Sequence, residues 1–216
     1  QEALWRKLRQ SHSAEAARDF GAQRILTAHH ATDLVETMIF RLTKGCGAEG
    51  LSPFDTSTKP FWKLPKSVII KYAQEHHIPW REDFTNAETK AERNLIRHKI
   101  VPELRKITPN LEKVMVQEAQ IFEQTTDYID QQVWISPTQP IDLEGFLSLP
   151  PILQSTFLRK ICVSYFDSQK NKMRHNGKIP SFCEIQDCLR WLEGSPEGNS
   201  TKKLGDRVLT IKAGKI

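Results

Sequence analysis

The chain has 216 residues, of which 38% are hydrophobic and 26% are charged. This composition is typical of a globular protein, and no apolar run approaches the roughly 20 residues of a membrane-spanning helix. Four dispersed cysteines without a C-x-x-C pair exclude a zinc ribbon and a disulfide framework, and indicate buried, reduced thiols. The net charge of +5 favours a polyanionic partner such as nucleic acid. The first residues lack the zones of a signal peptide, so we expect a cytoplasmic location.

The first half of the chain alternates helical segments with short apolar segments, which predicts an α/β fold. Arg24–Ala28 is short, apolar and β-branched, as expected of a buried parallel strand. Ile78–Trp80 is predicted as an edge strand. Helices are predicted over residues 2–20, 32–44 and 66–76, and Gly21 is expected to end the first of them.

The second half is predicted to be mainly helical. The pattern is helical from about Thr89, and Pro102 either kinks that helix or begins a new one. Apolar positions then recur at three- and four-residue steps from Leu111 to Val133, which predicts an amphipathic helix of roughly 35 Å. After it we expect a helix from Pro151 to Phe166, a basic loop over residues 170–178, a helix over 182–192 and a closing strand over 208–211.

The densest group of reactive side chains follows the first predicted strand. His29, His30, Asp33 and Glu36 lie where open α/β sheets place their ligands. Asp33 and Glu36 are three residues apart on one helix face, so their carboxylates could meet one cation, or they could be a capping pair at the helix start. The histidines are equally compatible with a structural role, because no third ligand completes a metal site at a familiar spacing.

The segment 45–50 matches G-x-G-x-x-G but does not predict a dinucleotide site. That fingerprint follows a strand and opens a helix, whereas Gly45 follows a predicted helix. Termination of the helix by Gly45 is the better interpretation.

Two sets of arginines are candidates for binding anions. Arg93 and Arg97, with Asn94 between them, share a helix face and offer two guanidinium groups to phosphate or carboxylate. The alternative is a solvated helix surface on which Glu88 and Glu92 pair with these arginines. Glu2, Arg6 and Arg9 form a similar set near the start of the chain, with the same alternative.

These segments together resemble the tRNA(Ile)-lysidine synthetase family of the ATP-pyrophosphatase superfamily. The family's ordered pattern is E-x-x-x-R-x-x-R, T-A/G-H-H-x-x-D-x-x-E-T, R-L-x-x-G-x-G-x-x-G-L, W-x-x-D-x-[ST]-N and R-N-x-[IL]-R. The matching blocks are Glu2 to Arg9, Thr27 to Thr37, Arg41 to Leu51, Trp80 to Asn86 and Arg93 to Arg97. The chain departs from the pattern at Thr32, where an aspartate is usual, and at Leu34, where a glutamine is usual.

The resemblance implies an α/β fold with an incomplete Rossmann-like parallel sheet, a long linker helix and a small, mainly α-helical domain. Residues 1–107 would be the C-terminal part of the catalytic domain, 108–134 the linker helix and 135–216 a substrate- or tRNA-binding domain. The family's S-G-G-x-D-S loop, which binds the pyrophosphate of ATP, would lie upstream of Gln1 and is not among these 216 residues.

The resemblance also implies a reaction. With ATP and Mg²⁺, the enzyme would adenylate the C2 oxygen of the wobble cytidine in an isoleucine tRNA with a CAU anticodon. The ε-amine of free L-lysine would then displace AMP, and the product, lysidine, would read AUA instead of AUG. Asp33 and Glu36 would bind the lysine ammonium and act as base. His29, Arg9, Arg93 and Arg97 would donate to the adenylate phosphate, with Arg6 and Asn94 contacting ATP or tRNA.

Six basic residues of the second domain are expected to contact the tRNA backbone, or else only to increase solubility. They are Lys170, Lys172, Arg174, Lys178, Lys202 and Lys203. Other functions also fit the sequence: a noncatalytic tRNA-binding remnant, one piece of a split gene, or a related ATP pyrophosphatase such as a cytidine thiolase. The thiolases carry cysteine pairs, which are absent from this sequence.

Overall fold

A computed structural model describes most of the chain. The described residues are 2–54, 56–81, 92–133, 141–167, 172–175, 180–194, 200–205 and 207–212. The chain forms two compact units, Gln1–Thr126 and Asp127–Ile216, whose boundary falls inside a long helix. No helix among the described residues is both long and apolar enough to cross a bilayer.

The described part of the first unit is built from helices and turns. Its helices are α1 (Glu2–Asp19), α2 (Ala31–Lys44), α3 (Ala48–Leu51), α4 (Lys66–Glu75), α5 (Glu92–Leu95), α6 (Val101–Ile107) and α7 (Leu111–Gln132), which continues into the second unit. A π-helical turn, Ile96–Ile100, joins α5 to α6. Pro102, which has no N–H to donate, is the second residue of α6 and directly follows this π-helical turn, and residues 92–107 stay helical across it.

Helix α2 is the centre of the first unit. Leu34 and Met38 pack on one side with Phe54 and with residues of α7. Val35 and Ile39 pack on another side with the π-helical turn and α6. Seven of the fourteen residues of α2 are apolar and five of these are buried, so the helix is amphipathic and its polar residues take up the remaining surface.

The glycine-rich segment ends α2, as the sequence predicted. Gly45 has a φ of 75°, which favours glycine, and its N–H donates to the carbonyl of Leu42 at 3.2 Å. Gly50 lies so close to Cys46 that an added Cβ would stand 2.4 Å from the Cys46 Cβ. The carbonyl of Gly50 accepts a hydrogen bond of 3.0 Å from Arg41 on α2. The segment therefore folds back on α2 and does not open a dinucleotide site.

The strands predicted in the first half are wrong. Residues 24–28 are not a strand, and Ile25 and Leu26 are 42% and 59% exposed. A strand requires a series of backbone hydrogen bonds to a neighbouring strand. Among the described residues, this segment has one such long-range bond, in which the N–H of Thr27 donates to the carbonyl of Thr58 at 2.9 Å. Ile78–Trp80 is likewise irregular and exposed. No parallel sheet occurs among the described residues.

The second unit combines helices with two antiparallel hairpins. Its helices are α8 (Leu143–Leu147), α9 (Pro151–Val163) and α10 (Phe182–Glu193); its strands are β1 (Ser164–Asp167), β2 (Lys172–His175), β3 (Ser200–Leu204) and β4 (Arg207–Ile211). Strands β1 and β2 pair with each other, and so do β3 and β4. The helix predicted to reach Phe166 ends at Val163, because the chain there turns into the ladder that pairs Ser164 with His175. The predicted basic loop therefore contains a strand.

The core of the second unit lies between α9, α10 and the β3–β4 hairpin. Phe157, Leu158, Ile185 and Leu192 are buried there. Cys162 and Cys188 are buried thiols as expected, and burial raises the pKa of Cys188 to about 11. The expectation of buried thiols is wrong for Cys183. Cys183 is the second residue of α10 and is exposed, because it is not on the face of α10 that packs into this core.

Candidate functional site

The first turn of α2 is fixed by a capping box. The N–H of Asp33 donates to His30 Nδ1 at 3.3 Å, and the N–H of His30 donates to Asp33 Oδ2 at 3.0 Å. The partner of Asp33 in the cap is therefore His30, not Glu36. Burial lowers the pKa of His30; Asp33 and Glu36 oppose this shift, whereas Lys66 and Arg97 add to it, and the lowered pKa favours a neutral imidazole that accepts at Nδ1.

Glu36 forms a two-bond ion pair with Arg97. Arg97 Nε donates to Glu36 Oε1 at 2.7 Å, and Arg97 Nη2 donates to Glu36 Oε2 at 2.9 Å. Glu36 is only 1% exposed, whereas the Arg97 side chain is 32% exposed. Hydrogen bonding to Glu36 raises the pKa of Arg97. The same guanidinium lies 3.7 Å from Asp33 Oδ1, so one cation bridges both carboxylates of the sequence motif.

Arg93 reaches the next position of α2. Its Nη2 donates to Thr37 Oγ1 at 2.8 Å, and that hydroxyl donates to the carbonyl of Asp33 at 2.7 Å. Glu92 pairs instead with Lys44, at 2.7 Å. The acidic partner of Arg97 is thus Glu36, and the basic partner of Glu92 is Lys44, whereas Glu88, the other acidic residue of the solvated-surface alternative, lies outside the described residues. Asn94, between them, is half-buried.

A second polar network lies beside the first. Thr32 Oγ1 donates to Glu112 Oε1 at 3.3 Å and accepts from the N–H of Lys66 at 3.3 Å. Arg105 also pairs with Glu112. Burial alone would raise the pKa of Glu112, but hydrogen bonds from Arg105 and Thr32 outweigh it and lower that pKa. This network joins the starts of α2, α4 and α7.

Residues of both networks line one cleft of about 630 Å³, a size typical of small-molecule sites, whereas Asp33 and Arg93 do not line it. Glu36 and Arg97 stand in its wall, and so do Arg105 and Glu112. Thr32, Lys66, Arg105, Glu112 and Lys113 were missed by sequence reasoning. They are separated along the chain by up to 81 positions, and no local pattern marks them as neighbours.

His29 precedes the capping residue and is exposed. Its Nδ1 lies 2.9 Å from Thr27 Oγ1, and its ring meets the Phe54 ring edge-on at 5.6 Å. Burial lowers the pKa of His29; Asp33 opposes the shift, while Lys59 and Arg93 add to it. A neutral imidazole surrounded by two cations and one carboxylate suits contact with an anion.

The structure does not bring every predicted residue to this cluster. Arg9 is exposed on α1 and does not line the cleft. Lys170 and Lys178 lie outside the described residues. The side chains of three further basic residues, Arg6, Lys172 and Arg174, are also outside the described part of the chain. In the second unit Lys202 is half-buried and Lys203 exposed on β3. Within the described residues no three His, Cys, Asp or Glu side chains converge as a metal site requires.

Comparison with known proteins places these observations in a family context. Residues 1–104 match the family model of a PP-loop domain. Several relatives are named tRNA(Ile)-lysidine synthase. That of Thermotoga sp. (strain RQ2) is 32% identical over 136 residues, 61% of this chain and 33% of the relative. That of Nitrosomonas europaea is 26% identical over 203 residues, 87% of this chain and 42% of the relative.

A third relative, from Lactiplantibacillus plantarum, is 33% identical over 188 residues, 82% of this chain and 42% of the relative. The chain therefore spans only 33% to 42% of the length of these three proteins.

Proposed function

We propose that the chain is part of a tRNA-modifying ATP pyrophosphatase that acts as a tRNA(Ile)-lysidine synthase, a proposal supported by the match of residues 1–104 to a PP-loop domain model and by the relatives of that name. ATP adenylates the C2 oxygen of the wobble cytidine and releases pyrophosphate. The ε-amine nitrogen of free lysine then bonds to C2, the C2–O bond to AMP breaks, and the amine loses its extra proton. The product is lysidine in an isoleucine tRNA, which reads AUA in place of AUG.

The observation that carries the proposal is the Asp33–Arg97–Glu36 cluster at the start of α2. Free lysine has an ε-ammonium with a pKa near 10.4, so it must be held and deprotonated before attack. Asp33 is half-buried, and its Oδ1 is 3.7 Å from the nearest Arg97 nitrogen, so this oxygen is available to an incoming ammonium.

Glu36 has a different place in the proposal from the one expected. Both of its oxygens accept from Arg97, so it orients the guanidinium that faces Asp33 and is the less accessible of the two carboxylates. Displacement of Arg97 by substrate would bring Glu36 to the ammonium as well. His29 and Arg93, each of which interacts electrostatically with its neighbours at the start of α2, are the proposed donors to the adenylate phosphate.

ATP and Mg²⁺ are implied by the family. The described carboxylates do not fit a magnesium ion, because Asp33 is bound to the His30 N–H and Glu36 to Arg97, and no third ligand joins them. We therefore assign no Mg²⁺ ligand to these residues. Arg6, Arg9, Asn94 and Arg97 remain candidates for contacts to ATP or tRNA.

The second unit is proposed to hold the tRNA backbone. The six basic residues Lys170, Lys172, Arg174, Lys178, Lys202 and Lys203 supply positive charge that positions RNA without reading its sequence. A role in solubility alone would leave the salt dependence of tRNA binding unchanged when they are neutralised.

The decisive test is Asp33→Asn in the full-length protein. The amide keeps an oxygen that accepts from the His30 N–H, so the cap survives, while the charge that would hold the ammonium is lost. We expect incorporation of labelled lysine into tRNA to be abolished with tRNA affinity unchanged. Glu118→Gln, at an exposed position of α7, is the matched control and should leave both unchanged. Retained lysine incorporation in Asp33→Asn would refute the assignment.

Two alternatives give different results in the same assay. A noncatalytic tRNA-binding protein, or a piece of a split gene that lacks its other part, would bind tRNA without incorporating lysine in either the wild type or the variant. A cytidine thiolase would transfer sulfur and not lysine; Cys46 is the single cysteine among residues 1–126, which disfavours the cysteine pair that such chemistry uses.

A further inference from the structure

The cleft at the starts of α2, α4 and α7 carries more positive than negative charge. Lys66, Arg97, Arg105 and Lys113 face two carboxylates, those of Glu36 and Glu112. Each carboxylate is already paired with an arginine. Two cations, Lys66 and Lys113, are left over, and neither has an ion-pair partner within the described part of the chain. His30 also lies in the cleft wall, and its lowered pKa favours the neutral imidazole, which adds no charge to the cleft.

The backbone adds to the positive potential. Helix α4 begins at Lys66, and its N-cap, Pro65, provides no side-chain hydrogen bond. Helix α7 begins at Leu111, immediately after Asn110 in the cleft wall. Both helices direct the positive end of their dipoles towards the residues that line the cleft. Ser67 and Asn110 supply polar side chains at the two helix starts.

We propose that this cleft binds phosphate groups of the RNA backbone, with Lys66 and Lys113 as the charged contacts. Its surplus of two positive charges matches two phosphodiesters, and its volume of about 630 Å³ accommodates a phosphate with an attached sugar. The proposal rests on the proposed function only for the source of the phosphate. Asp33, the proposed contact of the lysine ammonium, does not line this cleft.

The test compares charge-removing and charge-keeping variants of the same chain. Lys66→Gln/Lys113→Gln removes both surplus cations, and Lys66→Arg/Lys113→Arg keeps them. Lys71→Gln is the matched control: it lies on α4, is 76% exposed and is not in the cleft wall. Thermal unfolding of each variant verifies that the fold is kept.

The first measurement is binding of a labelled RNA hairpin with a CAU loop at several salt concentrations. Log affinity falls with log salt concentration, and each phosphate contact contributes roughly 0.7 to 0.9 to the magnitude of that slope. We therefore expect the double glutamine variant to reduce the magnitude of the slope by about 1.5. The arginine variant and Lys71→Gln should keep the wild-type slope.

The second measurement is line broadening of inorganic phosphate in ³¹P NMR. Loss of broadening in the glutamine variant together with a lower RNA slope supports the RNA phosphate site. Loss of broadening with an unchanged RNA slope keeps a phosphate site but overturns RNA as its source. No change in either measurement overturns the proposal. Because inorganic phosphate needs no tRNA, a failure of the lysine-incorporation assay leaves this result independent.

Discussion

Replacement of Glu36 by glutamine tests the tertiary contact on which the candidate site depends. Glu36 is 1% exposed and accepts hydrogen bonds of 2.7 and 2.9 Å from Arg97. Glutamine has nearly the same shape, but its amide NH₂ group meets one of the two Arg97 donors. One hydrogen bond is therefore lost, a donor is set against a donor, and the Arg97 guanidinium loses the negative charge of its closer carboxylate.

The magnitude follows from burial. Removing one member of a buried ion pair costs about 3 to 5 kcal/mol. The Arg97 side chain is 32% exposed, so water recovers part of its solvation, and the glutamine oxygen keeps one acceptor. We therefore expect Glu36→Gln to lower the free energy of unfolding by about 2 to 3 kcal/mol.

The assay is urea unfolding of the 216-residue chain. Trp62 packs against the first-unit core and Trp191 against the second-unit core, so tryptophan fluorescence, like circular dichroism, reports on both units. The exposed control Glu118→Gln should change stability by less than about 0.5 kcal/mol. Adding Arg97→Gln to Glu36→Gln should cost little more, because the pair is already broken. A loss below about 1 kcal/mol in Glu36→Gln would show that the ion pair is not formed as described.

Two further predictions concern pH. Hydrogen bonds from Arg105 hold the pKa of Glu112 below its usual 4.5 despite burial. The ionised Glu112 side chain therefore contributes fully to the free energy of unfolding above pH 4.5, and this contribution is lost as the pH falls through the lower pKa of the folded state. Glu112→Gln should therefore flatten the acid side of the stability curve in urea titrations; an unchanged curve would contradict the network. Burial lowers the pKa of His30 from 6.5. The neutral His30 side chain therefore contributes fully to the free energy of unfolding above pH 6.5, and this contribution declines below pH 6.5, where the unfolded chain takes up a proton more readily than the folded chain. His30→Asn should keep the cap and reduce this decline, whereas His30→Ala should lose about 1 kcal/mol near neutral pH; equal stability of the two variants would exclude the cap.

The helices of this protein and their ends could be predicted from local sequence patterns. Helices were predicted within a residue or two at α1, α2, α4, α7 and α10. Gly45 was identified as the end of α2 because a glycine after a helix is a local signal. The family was also readable, since its motifs are short, ordered blocks, and residues 1–104 do match a PP-loop domain. The helices and their ends depend on interactions between residues that are close along the chain, and each family motif is likewise a short continuous segment.

The tertiary structure decided which partners meet. The predicted strand at Arg24–Ala28 has one long-range backbone hydrogen bond, because apolar sequence alone does not supply a neighbouring strand. Asp33 proved to cap with His30, leaving Glu36 to a guanidinium 61 positions away. The cleft likewise joins Lys66 and Glu112 to the start of α2 through contacts that no spacing encodes. Side-chain pairing over such separations is set by how the helices pack, and packing is a property of the whole unit.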